Sequence, residues 1–343
     1  MKQFFKILSC VLSMLLLVSC DTVPAETQND ETLSPDTIVP ETEAPETEAP
    51  ATETDTETGT ETETESETET ETETETEAET ETEAPVIEDT AVFTKRQSVL
   101  LVGQSNMVGC GKADAVAPIT DDRIFMMRND GWVPMKEPIH EKATANTVGP
   151  AASFAKAFVE TFDCELGLIP AAVGGSAASR WLKSYTGADG HYAPAIEMAR
   201  KAQETTEICA ILWHQGESNR GNKNYADLVK QIIDAMIEDL GLDRDKIVII
   251  TGEIGAWEGK EVTLVNSALA AIETENYYPN YAVVSQEGLT NIERVSTDSH
   301  FDSPSVRVMG YRYFEAFYEE LLDRECPYEY SQNPDDYRIN LAR

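Results

Sequence analysis

Ser98-Val99-Leu100-Leu101-Val102-Gly103-Gln104-Ser105-Asn106-Met107 is the stretch on which the reading of the whole chain turns. Four consecutive apolar residues with no polar alternation describe a strand covered on both faces, and Gly103 ends it. Five more short runs of the same kind follow: Ile124 to Met127, Leu166 to Ala172, Ile208 to Trp213, Ile247 to Thr251 and Tyr281 to Ser285. Helical spacing fills the intervals over Ala151 to Phe162, Pro194 to Gln203, Tyr225 to Leu240 and Val262 to Glu275. A last helix is expected over Pro304 to Leu322, with Ser303 as its N-cap and Pro304 in its first turn. Apolar strands alternating with helices predict an α/β fold, a three-layer α/β/α sandwich around a five- or six-stranded, mainly parallel sheet.

Ligand sites in such sheets lie beyond the carboxyl ends of the strands. Four polar or glycine-rich segments occupy those places: Gly103 to Met107, Ala172-Val173-Gly174-Gly175-Ser176, His214-Gln215-Gly216-Glu217-Ser218, and Asp298-Ser299-His300-Phe301 before the last helix. A Ser on a tight turn after a strand, with an Asp and a His late in the chain, suggests a hydroxyl activated by a base. A neutral imidazole must take the hydroxyl proton, and a carboxylate must orient the imidazole. The tetrahedral oxyanion needs donors, which the backbone at Gly174 and Gly175 and the side chain of Gln215 are placed to offer. Met107 stands where the nucleophile elbow of the α/β-hydrolases has its second Gly, so that motif is not matched.

Taken in order, Gly103-Gln104-Ser105-Asn106-Met107, Val173-Gly174-Gly175-Ser176, Trp213-His214-Gln215-Gly216-Glu217 and the terminal Asp-x-His-Phe resemble the SGNH hydrolase superfamily. Within it they are most similar to the sialate O-acetylesterase and acetylxylan esterase group, carbohydrate esterase family 6. The resemblance spans roughly Gln97 to Leu322. It implies a flavodoxin-like sandwich, no cofactor, and an acetylated carbohydrate as substrate. It implies Ser105 as nucleophile and His300 as base, with Ser105 N–H, Gly174 N–H and a third-block side chain, here Gln215, as oxyanion donors. The acid is Asp298, preferred because it shares the His300 loop, or Glu217, the carboxylate of the HQGE block. Many superfamily members carry Asp-x-x-His, whereas Asp298 and His300 are one residue closer. Gln104, Asn106, Gly175 and Trp181 are the candidates for contact with substrate.

Each of these residues also has a plainer reading. A Ser after a strand is commonly a helix cap, two glycines can be only a turn, and Trp181 fits a core as well as a sugar-binding rim. His214 reads as a packed strand-end residue and is the main rival to His300, while His140 and His191 sit in polar loops and are expected to be solvated. Glu253 and Trp257, after the fifth strand, are within reach of a substrate without any motif to support them. Two other functions stand beside the esterase. One is a non-catalytic carbohydrate-binding surface lipoprotein on a degenerate hydrolase fold. The other is a glycosidase using Glu217 and Glu253, which leaves Ser105 and His300 without a role.

Outside this region the composition changes. The chain has 343 residues, 63 acidic and 26 basic, for a net charge of −37. Residues 21–90 hold 26 of the acids, with no Lys, Arg or aromatic residue, and Glu-Thr repeats run from Glu53 to Thr82. Such a segment has too few apolar residues to bury and is expected to be a disordered, extended linker. Residues 1–20 read as a lipoprotein signal peptide: Lys2 and Lys6, an apolar run from Ile7 to Val18, and Leu17-Val18-Ser19-Cys20, which resembles a bacterial lipobox. Lipidation of Cys20 would anchor residues 91–343, the esterase domain, to the membrane of a bacterial cell envelope, outside the cytoplasm. The domain keeps a net charge of −13 and shows no basic patch, which argues against a nucleic-acid partner. Four His in the whole chain and no CxxC spacing give no metal site and no readable disulfide pattern.

Overall fold

β1 (Gln97–Gly103) is enclosed from end to end, and Val99, Leu100, Leu101 and Val102 have no exposed surface. The computed structural model describes residues 92–129, 131–259, 261–292 and 299–339. The segment read as a signal peptide with Cys20, the acidic segment 21–90 and Asp298 lie outside the described residues. Along the chain β1 is followed by the helical turn α1 (Ser105–Val108), β2 (Gly111–Lys112), β3 (Ile124–Arg128), β4 (Gly131–Pro134) and β5 (Thr147–Val148). Then come α2 (Ala151–Phe162), β6 (Leu166–Pro170), α3 (Tyr192–Gln203), β7 (Glu207–His214) and α4 (Tyr225–Leu240). The order ends with β8 (Val248–Gly252), α5 (Val262–Thr274), β9 (Tyr281–Val284) and α6 (Ser303–Leu322).

The main sheet has the order β4-β3-β6-β1-β7-β8-β9. All neighbours pair in parallel except β4, which is an antiparallel edge on β3. The six expected strands are therefore all present, and the sheet has a seventh, the Gly131–Pro134 edge. β1 lies at the centre with Leu101 opposite Pro170 of β6 and Gly103 opposite His214 of β7. Because β6 and β7 leave β1 on opposite sides, the loops after them diverge and open a crevice above the end of β1, the switch point of the fold.

Alternation along β1 divides the core. Val99 and Leu101 face the layer of α2 and α6, while Leu100 and Val102 face that of α3, α4 and α5. In the first layer Phe154, Phe158 and Phe162 of α2 meet Phe314 and Phe317 of α6 at ring separations of 5.5 to 6.4 Å. Each such ring contributes roughly 1.5–3 kcal/mol on burial. The helices cross at Gly310, where a Cβ would stand 2.0 Å from Pro150 O. Nearby, Arg307 of α6, 2% exposed, clasps both oxygens of Glu137 at 2.8 and 2.5 Å. The N-cap of α6 is Asp302 rather than the expected Ser303: its carboxylate accepts from Ser305 N at 2.9 Å, and Ser303 is already helical.

Candidate active site

Gly103 takes φ +122°, a left-handed conformation that β1 needs in order to turn sharply at its end. A Cβ there would fall 2.1 Å from His214 O, so the ends of β1 and β7 touch, and Gln104 N–H donates to the same carbonyl at 2.8 Å. Ser105 then opens α1, where the N–H groups of Met107 and Val108 donate to Gln104 O. Ser105 is half-buried, and its hydroxyl lies 3.0 Å from His300 Nε2. The two residues are 195 positions apart in sequence, and His300 is also partly accessible.

The His300 loop is held from two directions. Asn291 and Phe301 form an antiparallel bridge; Ile292 N–H donates to His300 O at 3.0 Å and Asp302 N–H to Thr290 O at 2.9 Å. From the other side Asn106, 2% exposed, reaches in from α1. Its Oδ1 accepts from Phe301 N at 3.1 Å, and its Nδ2 donates to Ser299 O at 3.0 Å and to Glu217 Oε1 at 2.5 Å. Glu217 is 5% exposed and sits 3.9 Å from His214 Nε2. Burial pushes the His214 imidazole down to about 4, so it is neutral beside that carboxylate at physiological pH. Its Nδ1 lies 3.0 Å from Tyr313 OH, and its ring packs against Phe301, as a strand-end structural residue would. Phe301 also stacks edge-on with Trp257, centroids 5.0 Å apart.

The chain after β6 is steered past Ser105 by Val173 N–H, which donates to Gly103 O at 3.0 Å. Gly174 and Gly175 are exposed, and a Cβ on Gly174 would stand 4.0 Å from the Ser105 Cβ, so this backbone lies alongside the hydroxyl. Ser176 turns back inward and donates to Gly103 O at 3.3 Å.

Several sequence expectations require correction. Gln215 has no exposed surface; its Nε2 is shared among Gln104 Oε1, Ser176 O and Asn219 Oδ1 at 2.7 to 3.1 Å, and its Oε1 accepts from Tyr225 OH. It ties three loops together and has no donor left to aim at an oxyanion. Gln104, 3% exposed, spends its Oε1 on Gln215 and Ser218 N, and Trp181 is a core residue packed on Trp213 with its indole N–H donated to Ser176. Neither of these, nor Asn106, faces the crevice as a substrate contact. His140 is buried rather than solvated, and His191 is half-buried against Trp181. Glu253 accepts from Ser285 Oγ and Gln286 N, bracing the loop after β8. Asn219, which the sequence reading passed over, accepts from Ala178 N at 2.8 Å as well as from Gln215. Its only sequence signal is its place two residues after Glu217. Among the described residues no cluster of three or more His, Cys, Asp or Glu could hold a metal, and no disulfide joins the cysteines.

Comparisons with known proteins give the family and the fold. Residues 95–319, about two thirds of the chain, match the family model described as carbohydrate esterase, sialic acid-specific acetylesterase. A probable carbohydrate esterase of Arabidopsis thaliana is 29% identical over 170 residues, 43% of this chain and 64% of that relative's length. The crystal structure of an Arabidopsis thaliana protein superposes with a TM-score of 0.56 at 24% identity, covering 68% of this chain and all of the other. The structure of NanS superposes with a TM-score of 0.52 at 18% identity, over 67% and 98% of the two chains. A carbohydrate acetylesterase from Xanthomonas citri gives 0.50 at 15%, over 67% and 57%. The three structures share the fold.

Proposed function

The chain belongs to the carbohydrate esterase family of sialic acid-specific acetylesterases, and from that premise we propose that it is a serine esterase removing O-acetyl groups from carbohydrates through an acetyl-enzyme. The observation that carries this reading is the 3.0 Å approach of Ser105 Oγ to His300 Nε2, both residues being partly exposed. His300 takes the hydroxyl proton as Ser105 Oγ bonds to the acetyl carbonyl carbon. The oxyanion is received by the N–H groups of Ser105 and Gly174. Collapse breaks the bond to the sugar oxygen, which leaves with the proton from His300. Water, deprotonated by the same imidazole, then displaces acetate from Ser105. Asp298, or Glu217 in its place, keeps the imidazole oriented and stabilises its charged form. His300 must be neutral to act, so the rate falls on the acidic side.

The substrate is acetylated xylan, an acetylated sialic acid or a related glycan, and the domain works from the bacterial envelope, held by lipid on Cys20. Acetate release from a panel of these glycans names the substrate, and Cys20→Ala is expected to move the protein from the membrane fraction to the soluble one. Ser105→Ala is expected to lose on the order of 10⁴-fold or more in kcat and all labelling by a serine-directed fluorophosphonate. Full activity in that variant would overturn the mechanism. A wild-type protein that binds acetylated glycan but neither reacts with the probe nor releases acetate would instead be the carbohydrate-binding lipoprotein.

A further inference from the structure

We propose that Asn106 is a positioning residue that sets His300 on Ser105, with Glu217 fixing the direction in which its amide faces. The proposal rests on Ser105 and His300 being the reacting pair. Asn106 is 2% exposed and spends both ends of its amide inside the protein, so no ligand needs it. Those bonds fall on the two peptide groups that flank the histidine: Ser299 O on one side and Phe301 N on the other. Ser105 and Asn106 are consecutive in one helical turn. The path from the nucleophile through the Asn106 side chain to the base and back across the 3.0 Å hydrogen bond is therefore closed and only a few residues long. The bridge of residues 290–292 with 300–302 attaches the same loop to its neighbouring segment, not to the nucleophile.

The chemistry of the amide is specific. Position 106 must accept one hydrogen bond and donate two, and the carboxylate of Glu217 admits only the N–H₂ end. A carboxylate cannot donate at all, and an apolar side chain strands three buried polar groups. Misplacement of a catalytic group by about 1 Å costs roughly 10²-fold in rate. Loss of the clamp should therefore lower kcat and leave KM in place, because the substrate does not touch it.

The test compares Asn106→Ala and Asn106→Asp with wild type in the full chain, using p-nitrophenyl acetate and the fluorophosphonate probe, with rates referred to folded protein by circular dichroism. Asn106→Ala should lose about 10²-fold in kcat at unchanged KM, with probe labelling slowed in parallel. Asn106→Asp is the same size and folds most readily where its carboxyl is protonated, because the acid form still donates and accepts. The titratable groups around it are Glu217, His214 behind Glu217, which burial keeps neutral, the Tyr313 and Tyr225 hydroxyls, which burial holds protonated near Glu217, and His300 on the clamped loop. Two carboxyls at hydrogen-bond distance share one proton and hold it above the ordinary carboxylate range. The variant should therefore lose kcat as pH rises, an alkaline limb that wild type lacks. Wild-type kcat per folded molecule in Asn106→Ala, or an Asn106→Asp profile of unchanged shape, would overturn the proposal. If Asn106→Ala does not fold, the shape of the Asn106→Asp profile alone decides. These failures are separable from failure of the reaction itself, which shows as activity in Ser105→Ala.

Discussion

Gln215 shows how one side chain can look catalytic in a sequence and act as a joint in the fold. Its amide nitrogen bonds to the loops after β1, β6 and β7 at once, and Tyr225 closes the remaining acceptor. Gln215→Ala leaves buried acceptors without their donor, each costing about 1–3 kcal/mol. The expected outcome is an unfolding free energy in urea lower by that amount or more; an oxyanion donor would instead have left stability intact and cut kcat. The pairing of Ser105 with His300 was legible from motifs because the strand-end rule names the places where chemistry collects. The duties of Gln104, Asn106 and Gln215 were not legible, because an amide beside a nucleophile reads the same whether it faces the ligand or the interior. Only burial and the direction of its hydrogen bonds separate the two.

Among the elements, strands covered on both faces announce themselves as unbroken apolar runs, and all six of these were readable. The edge strand β4 was not: Gly131-Trp132-Val133-Pro134 is half-exposed and has no apolar run to show. The helices were readable within two residues at each end, since their apolar faces recur at 3.6-residue spacing. The pairing of α6 with the loop before β5 through Arg307 and Glu137 could not be foreseen from residues 170 positions apart. That pair is buried and bidentate, so removing one partner leaves an uncompensated charge. Arg307→Met is expected to cost about 3–5 kcal/mol by urea denaturation, and adding Glu137→Met should recover most of it.

For the molecule as a whole, two buried imidazoles set the acid limit of stability. Burial, with the Arg128 guanidinium adding to it, pushes the His140 ring down to about 3, and burial alone pushes His214 to about 4. In the unfolded chain both take a proton near pH 6.5. Between pH 6.5 and these lowered values unfolding takes up protons, so stability falls as pH falls, at up to about 1.4 kcal/mol per pH unit for each ring. Above pH 6.5 neither ring contributes a slope. Thermal melts from pH 7.5 to 4.5 should show this decline, and His140→Leu should make it shallower.

The central place of β1 carries one more consequence. The strand that leads into Ser105 leaves the ribosome before either of its neighbours, yet it is flanked on one side from Leu166 and on the other from Glu207. Synthesis must therefore run some seventy residues past Gly103 before one flank closes, and another forty before the second does. Contacts so distant along the polypeptide make assembly slow. A newly made chain therefore keeps one side of β1 open until β7, which ends at His214, has been made.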